Sequence, residues 1–451
     1  MRLPNSLLET LEVIEGFDKP AFESVHTSGE QVSSIRLNPF KKSAPHAALL
    51  YEAIPWCEQA FYLSERPSFT LDPLFHGGAY YVQEASSMFL QYLLRNILKE
   101  DIHQKKVLDL CAAPGGKSTL LASLFSDGLV VANELIKSRA AVLVENACKW
   151  GLPNMIVTNN DPDHFKQLEG FFDVILVDAP CSGSGLFRKD PQAINEWSLQ
   201  NVQHCSERQE KILSTILPCL KAGGILVYST CSYSAAENEQ VADWLVQNRQ
   251  LKSINIPIPK AWNIVATQSP EQGATGYRFY PHLLKGEGFY IAAFQKTSEV
   301  DSVRLKENIL SKPSRSELEQ LQSHINLTDP YQYFKQHDDI RIIPESQFIS
   351  LQQLAKQLYI KKAGIALGAL KGKDLIPSHE WAVSILAKEK YPQVNLSLHQ
   401  SLQFLRRKEF GVNDLPTGWT LACFEGLPLG WMKVLPNRIN NYYPAEWRIL
   451  K

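Results

Sequence analysis

"DAPCSGSG" and "VYSTCSYS" each leave a cysteine, Cys181 and Cys231, just past a short apolar run that reads as a buried strand. Two thiols at matching strand ends can be core filler, a disulfide, a metal site or a catalytic couple. The eight cysteines contain no C-x-x-C spacing, so a zinc site would need ligands from distant segments, and no metal is expected. Without a basic-then-apolar leader, their sparse spread fits a reducing cytoplasm better than a disulfide framework. Cys57, Cys148, Cys205, Cys219 and Cys423 have no motif that lifts them above small buried hydrophobes. Cys181 and Cys231 have a specific chemistry open to them. A thiolate that adds to C6 of a pyrimidine turns the ring into an enamine, whose C5 can attack an electrophilic methyl group. The C5 proton must then leave and the thiol be eliminated. A free thiol titrates near pH 8.5, so the nucleophile needs an activating neighbour, and a second thiol can assist the elimination.

The methyl source is read from the turn "DLCAAPGGKS". Gly115 and Gly116 let backbone approach a ligand with no Cβ in the way, whereas Cys111 reads as lining. The turn is neither G-x-G-x-x-G nor a Walker loop, which disfavours a nicotinamide or a triphosphate. Glu134, Asp161 and Asp178 end three successive apolar runs. Each alone is more often a turn or helix-cap residue. In register at the carboxyl ends of a parallel sheet they line one crevice, with Glu134 placed for ribose hydroxyls and Asp161 for an exocyclic amine. A nucleoside without a pyrophosphate fits, and S-adenosylmethionine is such a ligand. Asp178 stands where it could protonate or hydrogen-bond the N3 edge of a cytosine.

Positioning these residues needs alternating strands and helices, and residues 105–296 supply them: "KVLDL", "LVVANE", "MIVTNND", "FDVILVDAP" and "ILVYSTC", with helical segments between. This predicts an α/β fold with a parallel sheet covered on both faces. "GFYIAAFQK" lacks a crossover helix immediately before it and is expected to run antiparallel. The pattern closes by 296, so the core is expected to fold without the residues C-terminal to it. "YYVQEASSMFLQYLLRNIL" reads as an amphipathic helix leading into the sheet, and "KTSEVDSVRLKENILSKPSRSELEQ" as a linker. The expected division is an N-terminal α+β unit 1–75, a catalytic domain 76–296, a linker and first C-terminal domain 297–370, and a basic module 371–451. No apolar run is long enough to span a bilayer, so no membrane partner is expected. Net charge is −1 overall but +5 over residues 301–451, which suggests a polyanion held by the tail.

In this order on this strand pattern, "CAAPGGKS", "DAPCSGSG" and "STCSYS" resemble the Nop/Sun family of RNA cytosine-5 methyltransferases over roughly residues 75–296. The resemblance implies a Rossmann-like, S-adenosylmethionine-dependent core. It puts the nucleophile on the Thr-Cys cysteine, Cys231, and product release on the Pro-Cys cysteine, Cys181. Donor contacts fall on Cys111, Ala112, Ala113, Pro114, Gly115, Gly116, Lys117, Glu134, Asp161 and Asp178. Lys117 also helps order donor and target base, and Asp178 joins it and the two cysteines as a candidate catalytic residue. In the tail, "GALKGKD" and "FEGLPLGWMKVLPNRINNYYPAEWRI" are similar to the bacterial RsmF-type subgroup. That implies a 16S ribosomal RNA substrate, within the small subunit or free of it, and a PUA-like RNA-binding module on a cytoplasmic monomer. Lys, Arg and aromatic residues together suit RNA, although Trp419, Trp431 and Trp447 equally suit a small core. The same chemistry on tRNA, a non-catalytic RNA-binding assembly factor and a nicotinamide oxidoreductase are the competing readings.

Overall fold

The computed structural model describes residues 3–43, 50–249, 251–298, 307, 310–327, 329–372, 374–386, 388–412 and 415–450. Its largest element is a ten-stranded mixed sheet. Five strands form the parallel centre: β1 (Lys106–Asp109), β2 (Leu129–Asn133), β3 (Met155–Thr158), β4 (Phe172–Asp178) and β5 (Leu220–Thr230). They lie in the order β5-β4-β1-β2-β3. Val, Ile and Leu dominate these runs because both faces are covered: β2 and β3 are buried at every position. The chain steps from β1 outward to β3, then returns to the other side of β1 for β4 and β5. That reversal opens a crevice at the carboxyl ends of β1 and β4. β6 (Thr275–Phe279) and β7 (Phe289–Lys296) extend the β5 side, with β7 antiparallel to β5 as its missing crossover helix predicted.

The sheet does not end with β7. β8 (Ile360–Ala363) pairs antiparallel with β3 at the opposite edge. The helix Phe348–Gln357 buries Phe348, Leu351 and Leu354 in the same apolar cluster as Leu108, Ile156 and Ile175 of the sheet. Part of the expected linker, residues 299–306 and 308–309, lies outside the described residues. Its end is a helix, Arg315–His324, started by a capping box in which Ser314 and Glu317 satisfy each other's backbone.

Four strands make an N-terminal sheet: Ser34–Leu37, Leu50–Ala53, Ala60–Leu63 and Tyr80–Val82. The expected helix over "YYVQEASSM" therefore begins as a strand, Tyr80–Val82, paired with Ser34–Leu37; Ser86–Met88 is a 3-10 turn, and the α-helix runs only over Phe89–Leu98. Adjacent aromatic and β-branched residues prefer a pleated surface. Glu84 then accepts from the N–H groups of Ser86 and Ser87 and starts the helical turns.

Two further four-stranded sheets follow the core. One contains Ile365–Lys371 and Asp374–Pro377, which pair with each other across the expected division at 370. The other contains Gly418–Phe424 and Leu427–Leu435. Ile342, Ile365 and Trp381 from around the first share a core with Leu421, Cys423 and Trp431 from the second. A "KGKD" turn has the composition of a linker and of a tight hairpin alike; Gly372 sits there at φ +60°.

Lys41 ties three of these parts together. Its ammonium donates to the carbonyls of Gly77, Lys149 and Val383. Lys41→Met leaves three carbonyls without that donor, and a hydrogen bond to a charged group contributes about 1.5–3 kcal/mol. Because the site is half-buried and the bonds are not additive, we expect a loss of about 2 kcal/mol in urea unfolding. An unchanged midpoint and slope would show that the knot is incidental.

Candidate active site

β4 and β5 pair in register with Asp178 opposite Ser229. The turns that leave them therefore bring Cys181 and Cys231 side by side, with 3.1 Å between the sulfurs and both thiols free. The Gly185 N–H donates to the Cys231 carbonyl and the Tyr233 N–H to Ser184 Oγ, so the turns hold each other. The Cys181 thiol is pushed well above the ordinary thiol range. Its hydrogen bond to Cys231 is the main cause, followed by burial and then the charges of Cys231 and Glu237. Among the described residues no cluster of three or more metal-ligating side chains forms.

Beside the thiols, the helix Gly116–Leu124 starts at the tip of the β1 turn, with Gly115 at φ +114°. A Cβ on Gly116 would come within 3.3 Å of the Tyr81 ring. Lys117 Nζ donates to Asp178 Oδ2 at 2.8 Å, and Ser229 Oγ to Asp178 Oδ1 at 2.7 Å. Burial lowers the Lys117 pKa, but the charge and hydrogen bond of Asp178, then Asp109 and Cys231, outweigh it and hold the ammonium protonated. A cavity of about 330 Å³ opens here. Cys111, Ala112, Ala113, Pro114, Gly116, Lys117 and Asp178 line it, whereas Gly115 does not.

Glu134 directly follows β2, whereas Asp161 lies three residues past the end of β3, and neither lines this cavity. Glu134 is buried, accepts from the Ile136 N–H and lies near Arg139, which donates to the Ala113 carbonyl. Asp161 is exposed and caps the short 3-10 helix Pro162–Gln167 through Oδ1, which leaves its other oxygen open.

Several site residues escaped the sequence reading. Asp109, at the end of β1, is almost fully buried and lines the cavity. Its Oδ2 accepts from Ser118, while Oδ1 has no partner. Burial pushes this carboxyl up to about 7, against the Ser118 hydrogen bond. Tyr81, Gln83, Glu84 and Ser87 form the opposite wall. Buried Arg36 braces both walls through Gln83, Thr119 and the Gly116 carbonyl. The polar run "QEASS" inside an otherwise apolar segment was the one available signal.

Against known proteins, three sequence profiles match successive parts of the chain. They are the N-terminal domain of 16S rRNA methyltransferase RsmF over residues 3–85, 16S rRNA methyltransferase RsmB/F over 96–295, and the methyltransferase RsmF PUA domain over 391–449. Ribosomal RNA small subunit methyltransferase F of Aeromonas salmonicida is 31% identical over 446 residues, which is 92% of this chain and 90% of that protein. The same enzyme of Shewanella sediminis matches equally well. The chain belongs to the RsmF family of 16S rRNA methyltransferases. As an RsmF-family chain it is an S-adenosylmethionine-dependent RNA cytosine methyltransferase, the class its three motifs resembled. A methyltransferase homologue from Pyrococcus horikoshii is 28% identical with a TM-score of 0.53, covering 65% of this chain and 100% of that one. NSun6 from the same organism, at 18% identity and a TM-score of 0.53 over 66% and 99%, shares the fold. The residues present fit the donor. Gly116 presents no Cβ to the cavity, where one would crowd the Tyr81 ring, and Asp109 Oδ1 is a buried acceptor without a partner. Among the described residues, no helix is long and apolar enough to cross a membrane.

Proposed function

We propose that this chain methylates C5 of cytosine in 16S rRNA through a covalent Cys231–C6 bond, with Cys181 serving the release step. The observation that carries the assignment is the 3.1 Å contact of two free thiols beside the Lys117–Asp178 pair. S-adenosylmethionine, when bound, supplies the methyl group as an electrophilic sulfonium. Cys231 as thiolate adds to C6, the Cys181 S–H donates to that sulfur, and Asp178 uses its remaining lone pairs on the exocyclic amine of the base. An Asp178 ion-paired to Lys117 serves that edge as an acceptor rather than as the proton donor to N3. Once Cys231 is a thioether it carries no charge and accepts only weakly, so the largest influence holding the Cys181 proton fades. Cys181 then loses that proton to solvent and takes the one on C5 as the C6–S bond breaks.

Bisulfite sequencing of total RNA from a deletion strain tests the reaction. Protection should vanish at one or more 16S rRNA cytosines and persist in tRNA. Loss confined to tRNA would move the substrate, and no loss anywhere would remove the activity.

Glu134, Asp161 and Asp109 are the proposed acceptors for the donor. Alanine at Glu134 or Asp161 should weaken calorimetric donor affinity about tenfold or more, in line with hydrogen bonds worth about 1.5–3 kcal/mol. Asp109 adds a pH dependence with a definite sign. Its ionised form is the one that holds the cationic end of the donor. Affinity should rise as pH climbs to about 7, by up to about tenfold per pH unit below it, and then level off. Asp109→Asn should flatten that slope; a wild-type profile already flat between pH 5.5 and 7 would refute the assignment.

The C-terminal module is the proposed RNA anchor. An open groove of about 1300 Å³ there is lined by Arg407, Lys408 and Arg438, with exposed Tyr442 at its edge. Trp431 is core, whereas Trp419 is partly exposed and lies under Lys433. The proposed working form is a monomer acting on rRNA in the cytoplasm.

A further inference from the structure

Glu237 is fully buried just before the helix Glu239–Arg249, in a stretch whose sequence reads as ordinary helix capping. Its carboxylate serves the two cysteine turns instead. Oε1 accepts from the Ser182 N–H at 2.7 Å, with Gln209 Nε2 more distant at 3.4 Å. Oε2 accepts from Ser182 Oγ at 2.6 Å and from Ser232 Oγ at 2.5 Å. Ser182 follows Cys181 directly, and Ser232 follows Cys231. One carboxylate thus grips the residue after each thiol, and its main chain is anchored by Tyr228, whose hydroxyl donates to the Glu237 carbonyl at 2.6 Å. Neighbouring groups complete the frame. Gln209 Nε2 donates to the Pro180 carbonyl, and Asn238 accepts from Thr230 Oγ1 while donating to the Ser232 carbonyl.

We infer that Glu237 is the positioning residue that sets the separation and orientation of the Cys181 and Cys231 thiols. It touches neither donor nor base; it acts through Ser182 and Ser232. A carboxylate is the side chain for this task because its two oxygens accept from several donors at once and place no hydrogen of their own among them. A glutamine would set an N–H against either the Ser182 N–H or the two hydroxyls. A displacement of about 1 Å in a reacting group costs about a hundredfold in rate, so the clamp matters for both bond formation and release. The catalytic part of this inference rests on the proposed roles of the two thiols; the geometric part does not.

The test uses the full-length protein and two readouts. Diamide oxidises the paired thiols to a disulfide while being reduced to its hydrazine, and the rate reports sulfur–sulfur proximity without RNA or donor. In Glu237→Gln this cross-linking should slow at least tenfold. Single-turnover methylation of 16S rRNA should fall by about a hundredfold, with the RNA KM within threefold and donor affinity within twofold of wild type. A variant in which Ser182 and Ser232 are both alanine keeps the acid but removes both hydroxyl donors, and it should shift both readouts in the same direction. Slower cross-linking with unchanged methylation would retain the clamp and overturn the catalytic reading of the thiols. Unchanged cross-linking in both variants overturns the inference. So does a Glu237→Gln protein that loses donor binding and cooperative melting while the serine variant behaves as wild type, since the acid would then only support the fold.

Discussion

Cys181→Ala should accumulate a protein–RNA adduct that survives a denaturing gel, and Cys231→Ala should show none. In the proposed mechanism Cys231 forms the C6–S bond, so removing Cys181 still permits addition and methyl transfer but blocks the loss of the C5 proton. The neighbouring turns should tolerate the change, because the Gly185–Cys231 backbone bond and the Glu237 contacts do not involve the Cys181 sulfur. Removing Cys231 abolishes the bond and with it turnover, a loss of several orders of magnitude typical of a deleted nucleophile. The double variant should follow Cys231→Ala, since trapping presupposes bond formation. A trapped band with Cys231→Ala alone would reverse the roles. Full activity in both single variants would return the two thiols to strand-end filler.

What the sequence made legible is what sits next to a strand end. Cys181, Cys231 and the Cys111–Lys117 turn each lie within three residues of an apolar run, so local pattern and chemistry sufficed to bring them to one crevice. Asp109 was missed because a buried aspartate at the end of "KVLD" looks like the polar stop of any strand; only its unpartnered oxygen distinguishes it. Arg36 lies in a different sheet and joins Gln83 to the Gly116 carbonyl through contacts that no periodicity encodes. Tyr80–Val82 failed as a helix for a related reason: a short apolar run satisfies both periods, and its partner strand, more than forty residues earlier, decides between them. β8 is the extreme case, joining a sheet whose own strand–helix alternation had already closed.

That last strand changes what truncation should do. A chain cut after residue 300 is expected to lose donor binding and cooperative folding, although every proposed catalytic residue precedes the cut. It would leave the β3 edge unpaired at Ile156, Val157 and Thr158, whose partners are Ala363, Lys362 and Ile360. It would also strip Phe334, Ile343, Phe348, Leu351, Leu354 and Leu358 from a core shared with β1, β3 and β4. Each 100 Å² of apolar surface returned to water costs about 2.5 kcal/mol. A few hundred Å² therefore match the whole stability of an ordinary domain, about 5–15 kcal/mol. The proposed donor contact at Asp161 is affected as well. The Tyr359 backbone accepts from the Asn160 side chain and donates to it, fixing the residue that precedes Asp161. Calorimetry and thermal melting of the purified fragment decide the matter. Wild-type donor affinity with a cooperative transition within a few degrees of the full chain would mean that the C-terminal half is an independent appendage. A fragment that aggregates or binds no donor means that the C-terminal half is a structural wall of the methyltransferase.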